Sequence, residues 1–135
     1  MITGKFDSQI MEESQITYLV RGAIFNVFNT LGPGLLESVY VNALCHEFSK
    51  HKISFKKELM LPVVYDGERM GNGYRMDILV EEKIIIEVKS VETLLEVHHK
   101  QVLTYLKISG LRIGILVNFN VSDIRKGIFR KLNGY

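Results

Sequence analysis

Apolar residues recur at helical spacing through the first third of the chain. After a polar start, the apolar positions of the first such stretch are Ile16, Leu19, Val20, Ala23, Ile24, Val27 and Phe28. This spacing predicts an amphipathic helix, which the breaking segment at residues 32–34 ends. A second helix is then predicted, with one apolar face made by Leu36, Val39, Tyr40, Ala43, Leu44 and Phe48. The chain therefore opens with two helices that each have a face to bury.

From residue 55 the pattern becomes that of strands. Residues 55–65 are rich in apolar side chains but include Pro62, which predicts an edge strand or a bulged one. An Asp-Gly pair at 66–67 signals a hairpin. Two further strands are expected over residues 74–80 and 83–89, and three consecutive isoleucines in the latter indicate burial on both faces. Together these segments predict an antiparallel meander.

Helical spacing returns over residues 97–109, and Gly110 is a plausible C-terminal stop for that helix. Residues 111–119 have the composition of another buried strand, and residues 122–132 fit either a short helix or a strand. The predicted order is α, α, β, β, β, α, β. Three meandering strands, a crossover helix and a strand parallel to one of them make an α/β sandwich.

The length and composition of the chain indicate one domain. Its 135 residues are 47% hydrophobic and contain no repeat or linker, so we expect a single domain over 1–135 with a polar N-terminal extension at 1–13. The lone cysteine, Cys45, excludes an internal disulfide and is predicted to be a small buried hydrophobe, with a nucleophile as the alternative. A formal net charge of +2 permits nucleic-acid binding but does not argue for it.

No targeting or membrane segment is evident in the sequence. The first fifteen residues lack the basic and apolar regions of a signal peptide, and no apolar run approaches the roughly 18 residues that span a bilayer. We therefore expect a soluble, cytoplasmic protein without a membrane partner.

Three ionisable residues interrupt strands that are otherwise apolar. Asp77 lies between Met76 and Ile78, and Glu87 and Lys89 follow the run of isoleucines. Because side chains alternate along a strand, Glu87 and Lys89 share one face. A turn near residues 81–82 can bring Asp77 opposite the Glu87 region. Two carboxylates and an ammonium group would then converge on one patch.

Such a patch has two interpretations. Two adjacent carboxylates repel each other, and a hard cation such as Mg²⁺ removes that repulsion while keeping waters for phosphate chemistry. Lys89 could then hold or deprotonate an attacking water and stabilise charge on the phosphate. The alternative is that Glu87 and Lys89 form an ion pair on a solvated sheet face. The spacing alone leaves both open.

Further candidates lie on the predicted helices. Gln101 and Tyr105 are four residues apart on the crossover helix, and His98 is one turn earlier, so all three can share a face. Plain core packing would equally explain Tyr105, and a satisfied imidazole would explain His98. Glu37 opens the second helix, where the helix dipole by itself favours an acid.

At this point the motifs of the chain resemble a known family. They are Gly34-Leu-Leu-Glu37-Ser-Val-Tyr40, Arg75-Met-Asp77, Ile86-Glu87-Val-Lys89-Ser90, Gln101-Val-Leu-Thr-Tyr105-Leu-Lys107 and Gly114-Ile-Leu-Val-Asn118-Phe119. The first resembles the motif that names the GxxExxY protein family, which is assigned to the PD-(D/E)XK nuclease superfamily. The resemblance covers about residues 16 to 132.

The resemblance implies a restriction-endonuclease-like αβββαβ core, with a mixed central sheet flanked by helices. It implies that Asp77 and Glu87 bind the metal, with Glu37 as an additional acid, and that Lys89 is the catalytic lysine. Gln101 and Tyr105 resemble a QxxxY element that supports the site and the DNA contact. Met76 stands where the superfamily name places a proline, which is often absent.

Two functions follow as hypotheses. The first is a nuclease dependent on Mg²⁺ or Mn²⁺ that acts on DNA, or alternatively on RNA, with catalytic residues Asp77, Glu87, Lys89 and Glu37. Gln101, Tyr105, His98 and Arg75 would support the site or bind the substrate. The second is a non-catalytic module of the same fold that binds nucleic acid or protein. A chain this small, without a recognition module, would need a homodimer, a partner subunit or a flexible substrate.

Overall fold

The structure of the protein is a computed structural model that describes residues 11–134. Its helices are α1 (Glu13–Leu31), α2 (Glu37–Lys50) and α3 (Glu96–Ser109), and a 3₁₀ turn covers Ile124–Gly127. Its strands are β1 (Phe55–Leu61), β2 (Val64–Tyr65), β3 (Glu68–Arg69), β4 (Tyr74–Val80), β5 (Ile84–Lys89), β6 (Ile113–Asn118) and β7 (Ile128–Leu132).

Five of these strands form one mixed sheet in the order β1-β4-β5-β6-β7. The pairs β1–β4, β4–β5 and β6–β7 are antiparallel, whereas β6 lies parallel to β5. Helix α3 connects β5 to β6, as a crossover between parallel strands requires. The predicted meander, the crossover helix and the mixed α/β architecture flanked by helices are confirmed, and the arrangement is that of a restriction-endonuclease-like fold.

The segment over residues 55–65 begins with an edge strand of the sheet, as predicted, but this strand is shorter than expected. Strand β1 ends at Leu61, immediately before Pro62, which has no N–H group to continue the ladder. Beyond it, β2 and β3 pair with each other in a separate two-stranded ribbon. The Asp-Gly pair at 66–67 forms the tip of this ribbon, and both residues have the positive φ angles that a tight hairpin turn needs.

The end of the chain contains both elements that its sequence left open. Residues Ile124–Gly127 form the 3₁₀ turn, and β7 follows as the antiparallel edge strand beside β6. Gly127 lies where an added Cβ would come within 2.4 Å of the Asn118 carbonyl oxygen, so the turn can pack closely on the end of β6 only without a side chain there.

Helix α2 buries most of the predicted face, but the first two apolar positions of that face are exposed. Tyr40, Leu44 and Phe48 are buried as expected, but Leu36 is 75% exposed and Val39 is also exposed. Their place in the core is taken by Val41 and Cys45. Burial of Cys45 confirms its interpretation as a small hydrophobe, because desolvation raises the pKa of its thiol to about 11.

Two apolar cores lie on opposite faces of the sheet. The larger core joins α1 and α2 to the face of β5 that carries Ile84, Ile86 and Val88. The smaller core joins α3 to the opposite face, which carries Ile85 and, on the neighbouring strand, Leu116. The sheet is thus covered by helices on both sides, which explains why β5 is apolar on both faces.

The remaining predictions on organisation concern the whole chain. The predicted extension over 1–13 lies mainly outside the described residues, and α1 begins at Glu13. Within residues 11–134, no helix combines the length and the apolar character that crossing a membrane requires.

Candidate metal centre and adjoining clefts

The candidate site begins where β4 and β5 separate. From the turn, these strands pair in register from Val80↔Ile84 to Ile78↔Ile86. The ladder of backbone hydrogen bonds ends at Ile78↔Ile86. Beyond it, the Asp77 N–H donates to Glu87 Oε2 at 2.9 Å, and the Val88 N–H donates to Asp77 Oδ2 at 2.8 Å. Two side chains therefore replace backbone partners across the gap. As the sequence predicted, Asp77 lies opposite Glu87.

Burial makes this pair of acids costly to ionise. Glu87 is only 3% exposed. Desolvation, and next the charge of Asp77, raise the pKa of Glu87 to about 8, against the lowering effect of the Asp77 N–H bond and of Lys89. Desolvation also raises the pKa of Asp77, opposed by the Val88 N–H bond and by Lys89. A positive ion between the carboxylates would relieve this cost.

Lys89 lies at the end of β5, on the same face as Glu87. Its charge lowers the pKa of both acids. Among the described residues, however, no carboxylate oxygen lies within the 4.0 Å of its ammonium group that defines a salt bridge. Since Glu87 is buried and not directly paired with Lys89, a solvated ion pair does not describe this part of the sheet.

The donor set fits a hard divalent cation. One oxygen of each acid accepts a backbone N–H, while no described residue donates a hydrogen bond to Asp77 Oδ1 or Glu87 Oε1. Residues 11–134 hold no group of three or more His, Cys, Asp or Glu side chains arranged as a metal cluster. A pair of carboxylates is nonetheless the usual protein contribution to a Mg²⁺ site, where water and phosphate oxygens fill the other positions.

Glu37 and Arg75 border the acid pair on the α2 side. With Asp77, Lys57 and Glu58, they line a cleft of about 230 Å³, hereafter the α2 cleft. The Glu37 carboxylate accepts the Ser90 N–H at 3.4 Å, and its charge raises the pKa of both Asp77 and Glu87. The Arg75 guanidinium Nη1 lies 3.7 Å from Glu58 Oε1. The structure thus brings Glu37 near the pair, and its role as a metal ligand stays a prediction.

A second cleft, of about 490 Å³, lies on the other side of the sheet. This α3 cleft is lined by Tyr74, Lys89, His98, Lys100, Gln101 and Tyr105. The face predicted for the crossover helix, with His98, Gln101 and Tyr105 together, is therefore found beside Lys89. Burial, and next the charges of Glu87 and Asp77, raise the pKa of Tyr105 to about 12, so the phenol stays protonated and can donate a hydrogen bond.

His98 has a structural task as well as a place in the α3 cleft. Its Nδ1 accepts the Leu95 N–H at 2.9 Å, so the side chain caps the start of α3. When the imidazole is neutral, this bond places its proton on Nε2. The satisfied imidazole that the sequence allowed is thus present, and Nε2 is the atom that remains to donate.

Sequence reasoning missed the residues that hold the segment after Lys89. Asn118 is buried, its Oδ1 accepts the N–H groups of Val91 and Asn120, and its Nδ2 donates to the Val91 carbonyl at 2.9 Å. Ser90 Oγ donates to the Leu35 carbonyl at 2.6 Å. These bonds tie the end of β5 to β6 and to the start of α2.

Tyr40 fixes the other end of this connection. Its hydroxyl donates to the Gly32 carbonyl at 2.6 Å and accepts the Leu35 N–H at 3.1 Å, while its ring stacks on Phe119. The loop before Glu37 is thereby fastened to the core. The only sequence signal was that Tyr40, Ser90 and Asn118 all fall within the quoted motifs, because hydrogen bonds between distant residues leave no periodic pattern.

A mixed sheet with a buried and a half-buried acid and a lysine at a strand end is the class of arrangement in which metal-dependent hydrolysis of phosphodiesters is expected. A family model described as the PD-(D/E)XK nuclease superfamily matches residues 14–131. Because the match covers most of the chain, the protein belongs to the PD-(D/E)XK nuclease superfamily. No curated protein and no solved structure matches the chain significantly.

Membership has three general consequences. It indicates a nuclease, it indicates interaction with nucleic acid, and it brings the divalent metal ions that nucleases of this superfamily generally use. The acid pair of β4 and β5 has the ligand chemistry that such an ion needs.

Proposed function

We propose that this protein is a nuclease of the GxxExxY family that uses Mg²⁺ or Mn²⁺ to hydrolyse phosphodiester bonds of DNA, with RNA as the second candidate substrate. The observation that carries the proposal is the reciprocal bonding of Asp77 and Glu87 at the point where β4 leaves β5, with Lys89 at the strand end. A purely structural sheet has no need of a buried carboxylate beside a half-buried one, because removing ionised carboxylates from water opposes folding.

The residues have distinct roles in this proposal. Asp77 and Glu87 would hold the metal, and Glu37 would supply an additional acid from α2. A metal bound there would neutralise the acids and polarise the phosphate. Lys89 orients the attacking water and stabilises the negative charge that develops on the phosphate.

The α3 residues bind and orient the substrate. The amide of Gln101 and the phenol of Tyr105 can both donate to phosphate oxygens, and His98 Nε2 adds a third donor beside Lys89. On the α2 side, Arg75 offers a guanidinium group to the backbone of the strand. Convergence of these donors on the acid pair supports positioning of a phosphodiester at that point.

A non-catalytic module is the second candidate function. It is favoured by the exposed apolar side chains near the site, which include Leu36 and Val39 on α2 and Leu95 and Val97 at the start of α3. A surface of this kind suits a protein partner or a second copy of the chain. Binding of nucleic acid that needs no metal and is unchanged by Asp77→Ala would favour this candidate.

The direct test is cleavage of labelled DNA and RNA, single-stranded and duplex, with Mg²⁺, with Mn²⁺ and with a chelator. Asp77→Ala should abolish metal-dependent cleavage in a protein that remains folded. Glu82→Gln is the matched control, because Glu82 is an exposed acid paired with Lys56 in the β4–β5 turn. The proposal fails if the wild type with its metal site filled cuts no nucleic acid, or if Asp77→Ala cuts as well as Glu82→Gln.

A further inference from the structure

The two clefts beside the acid pair differ in charge. Glu37, Glu58 and Asp77 line the α2 cleft together with its cations. The α3 cleft, in contrast, has Lys89 and Lys100 in its wall, and none of the described residues that line it is an acid. Phosphates are therefore attracted more strongly to the α3 side of the acid pair.

An aromatic ring forms part of the same wall. Tyr74 is 44% exposed, and its ring centroid lies 5.4 Å from that of Tyr105 in a tilted arrangement. Tyr105 is itself only 3% exposed, so the inner side of Tyr74 rests on a fixed neighbour while its other side faces the cleft. The result is an aromatic surface beside a row of phosphate-binding groups.

The backbone holds Tyr74 in place. It is the first residue of β4 and pairs with Leu61 of β1. The preceding residue, Gly73, has a φ of +80°, and a Cβ there would lie 2.2 Å from the Leu61 carbonyl oxygen. Only glycine allows residue 73 to approach the end of β1 this closely. Tyr74 therefore lies at a fixed strand end rather than on a loop.

Cations with an adjacent aromatic surface match the chemistry of an unpaired nucleotide. Every base has a flat face that can stack on tyrosine, but in a duplex those faces are covered by neighbouring bases. The volume of the α3 cleft, about 490 Å³, falls within the range of roughly 300–1,000 Å³ that is usual for small-molecule sites. One nucleotide of a flexible strand suits this cleft better than a stacked duplex does.

We propose that the α3 cleft binds one unpaired nucleotide of single-stranded DNA, with the base stacked on Tyr74 and the phosphate held by Lys100. The proposal rests on the proposed function, because it places the next phosphodiester of the strand at Asp77 and Glu87. It explains how a chain of modest charge binds its substrate: stacking supplies affinity that electrostatic attraction alone does not.

The test compares binding of a labelled oligonucleotide as a single strand and as a duplex, by fluorescence anisotropy with a chelator to prevent cleavage. Tyr74→Ala should weaken single-strand binding by about tenfold, as the loss of one base–aromatic stack implies. Tyr74→Phe keeps the ring and should stay within about twofold of the wild type. Tyr18→Ala is the matched control, because Tyr18 is 77% exposed and lines a separate cavity on α1.

Circular dichroism and thermal unfolding first establish that each variant is folded. The proposal is overturned if folded Tyr74→Ala binds the single strand like wild type, or if it loses duplex binding to the same extent. Cleavage with Mg²⁺, measured in parallel, separates the two proposals. Cleavage that needs Asp77, combined with single-strand binding indifferent to Tyr74, would overturn this inference and leave the nuclease. Ring-dependent binding without cleavage would support the stacking site and count against the nuclease.

Discussion

The two halves of β5 differ in their backbone pairing and in the side chains that they carry. At Ile84–Ile86, the sealed half, the strand is hydrogen-bonded to β4 on one side and to β6 on the other. Its side chains enter the apolar cores on both faces. At Glu87–Lys89, the open half, the pairing with β6 continues but the ladder with β4 has ended. There the carboxylates of Asp77 and Glu87 accept the backbone N–H groups of the facing strand. A single strand thus contributes stability with one half and a candidate site with the other.

The difference between the two halves shows where charged side chains can be placed in a buried sheet. The sealed half has no backbone group left for a polar side chain to satisfy, so only apolar residues are stable there. The open half exposes two N–H groups, and each is satisfied by a carboxylate that then has an oxygen to spare. Separation of the strands is therefore what allows Glu87 to be buried beside the half-buried Asp77.

The largest effect should come from breaking the sealed half. Ile84→Ala removes a fully buried side chain from the larger core and should lower the free energy of unfolding by about 2–5 kcal/mol. Urea denaturation measures this, and Val64→Ala, at an exposed ribbon position, should stay within about 0.5 kcal/mol of the wild type. Cleavage per folded molecule should not change. Equal losses of stability in Ile84→Ala and Val64→Ala would contradict the stabilising role assigned to this half of β5.

Breaking the open half should affect the reaction and leave the fold intact. Lys89→Ala should lower the cleavage rate by on the order of 10²–10³, the usual effect of removing one group that stabilises transition-state charge. Metal binding should persist, because Lys89 is not a ligand. Lys56→Ala is the matched control, since Lys56 pairs with exposed Glu82 at the far end of the hairpin. A loss of folding in Lys89→Ala would mean that the charged residues form a structural network.

The segment after Lys89 continues from the open half of β5, and the Asn118 side chain fastens it to β6. Asn118→Ala leaves the half-buried backbone N–H and carbonyl of Val91 without these partners and should cost about 1–3 kcal/mol of stability. It should also lower cleavage per folded molecule. Asn133→Ala is the control, because the Asn133 side chain also bonds to backbone groups, donating to the carbonyls of Leu106 and Leu111 at the other end of β6. If both variants retain full cleavage once folded, Asn118 serves stability alone.

The smallest change concerns the charge of Glu87 in metal-free protein. Its pKa is about 4.5 unfolded and about 8 folded, so the folded state binds more protons between these values. Stability should therefore fall as the pH rises from about 4.5 to 8. Glu87→Gln removes this slope and should be more stable than wild type at pH 8 by about 1 kcal/mol or more, and similar at pH 4.5. Thermal unfolding with chelator at both pH values measures the difference, and an opposite slope would contradict the burial of the charge.

Much of this organisation could be predicted from the sequence because it depends on local periodicity. The isoleucines of β5 revealed a strand buried on both faces, and counting back across the turn placed Asp77 opposite Glu87. The order of the helices and strands followed from the same patterns. Gly110 ends α3 in the left-handed conformation, as expected of a glycine after the last turn.

What the sequence did not predict depends on contacts between distant segments. Leu36 and Val39 are exposed although they share the helical spacing of the buried positions, so spacing alone did not specify which residues enter the core. The bonds from Asn118 to Val91 and from Ser90 to Leu35 join residues 27 and 55 positions apart. The role of Tyr74 likewise appears only when β4 is placed beside α3.

The central claim is that the open half of β5 holds a divalent metal. The most direct measurement is calorimetric titration of Mg²⁺ and Mn²⁺ at pH 8 into the wild type, Glu87→Gln and the control Glu82→Gln. We predict saturable binding to the wild type and the control, and its loss in Glu87→Gln, because a metal ligand must be a deprotonated carboxylate. Absence of binding to the wild type, or equal binding to all three proteins, would contradict the claim.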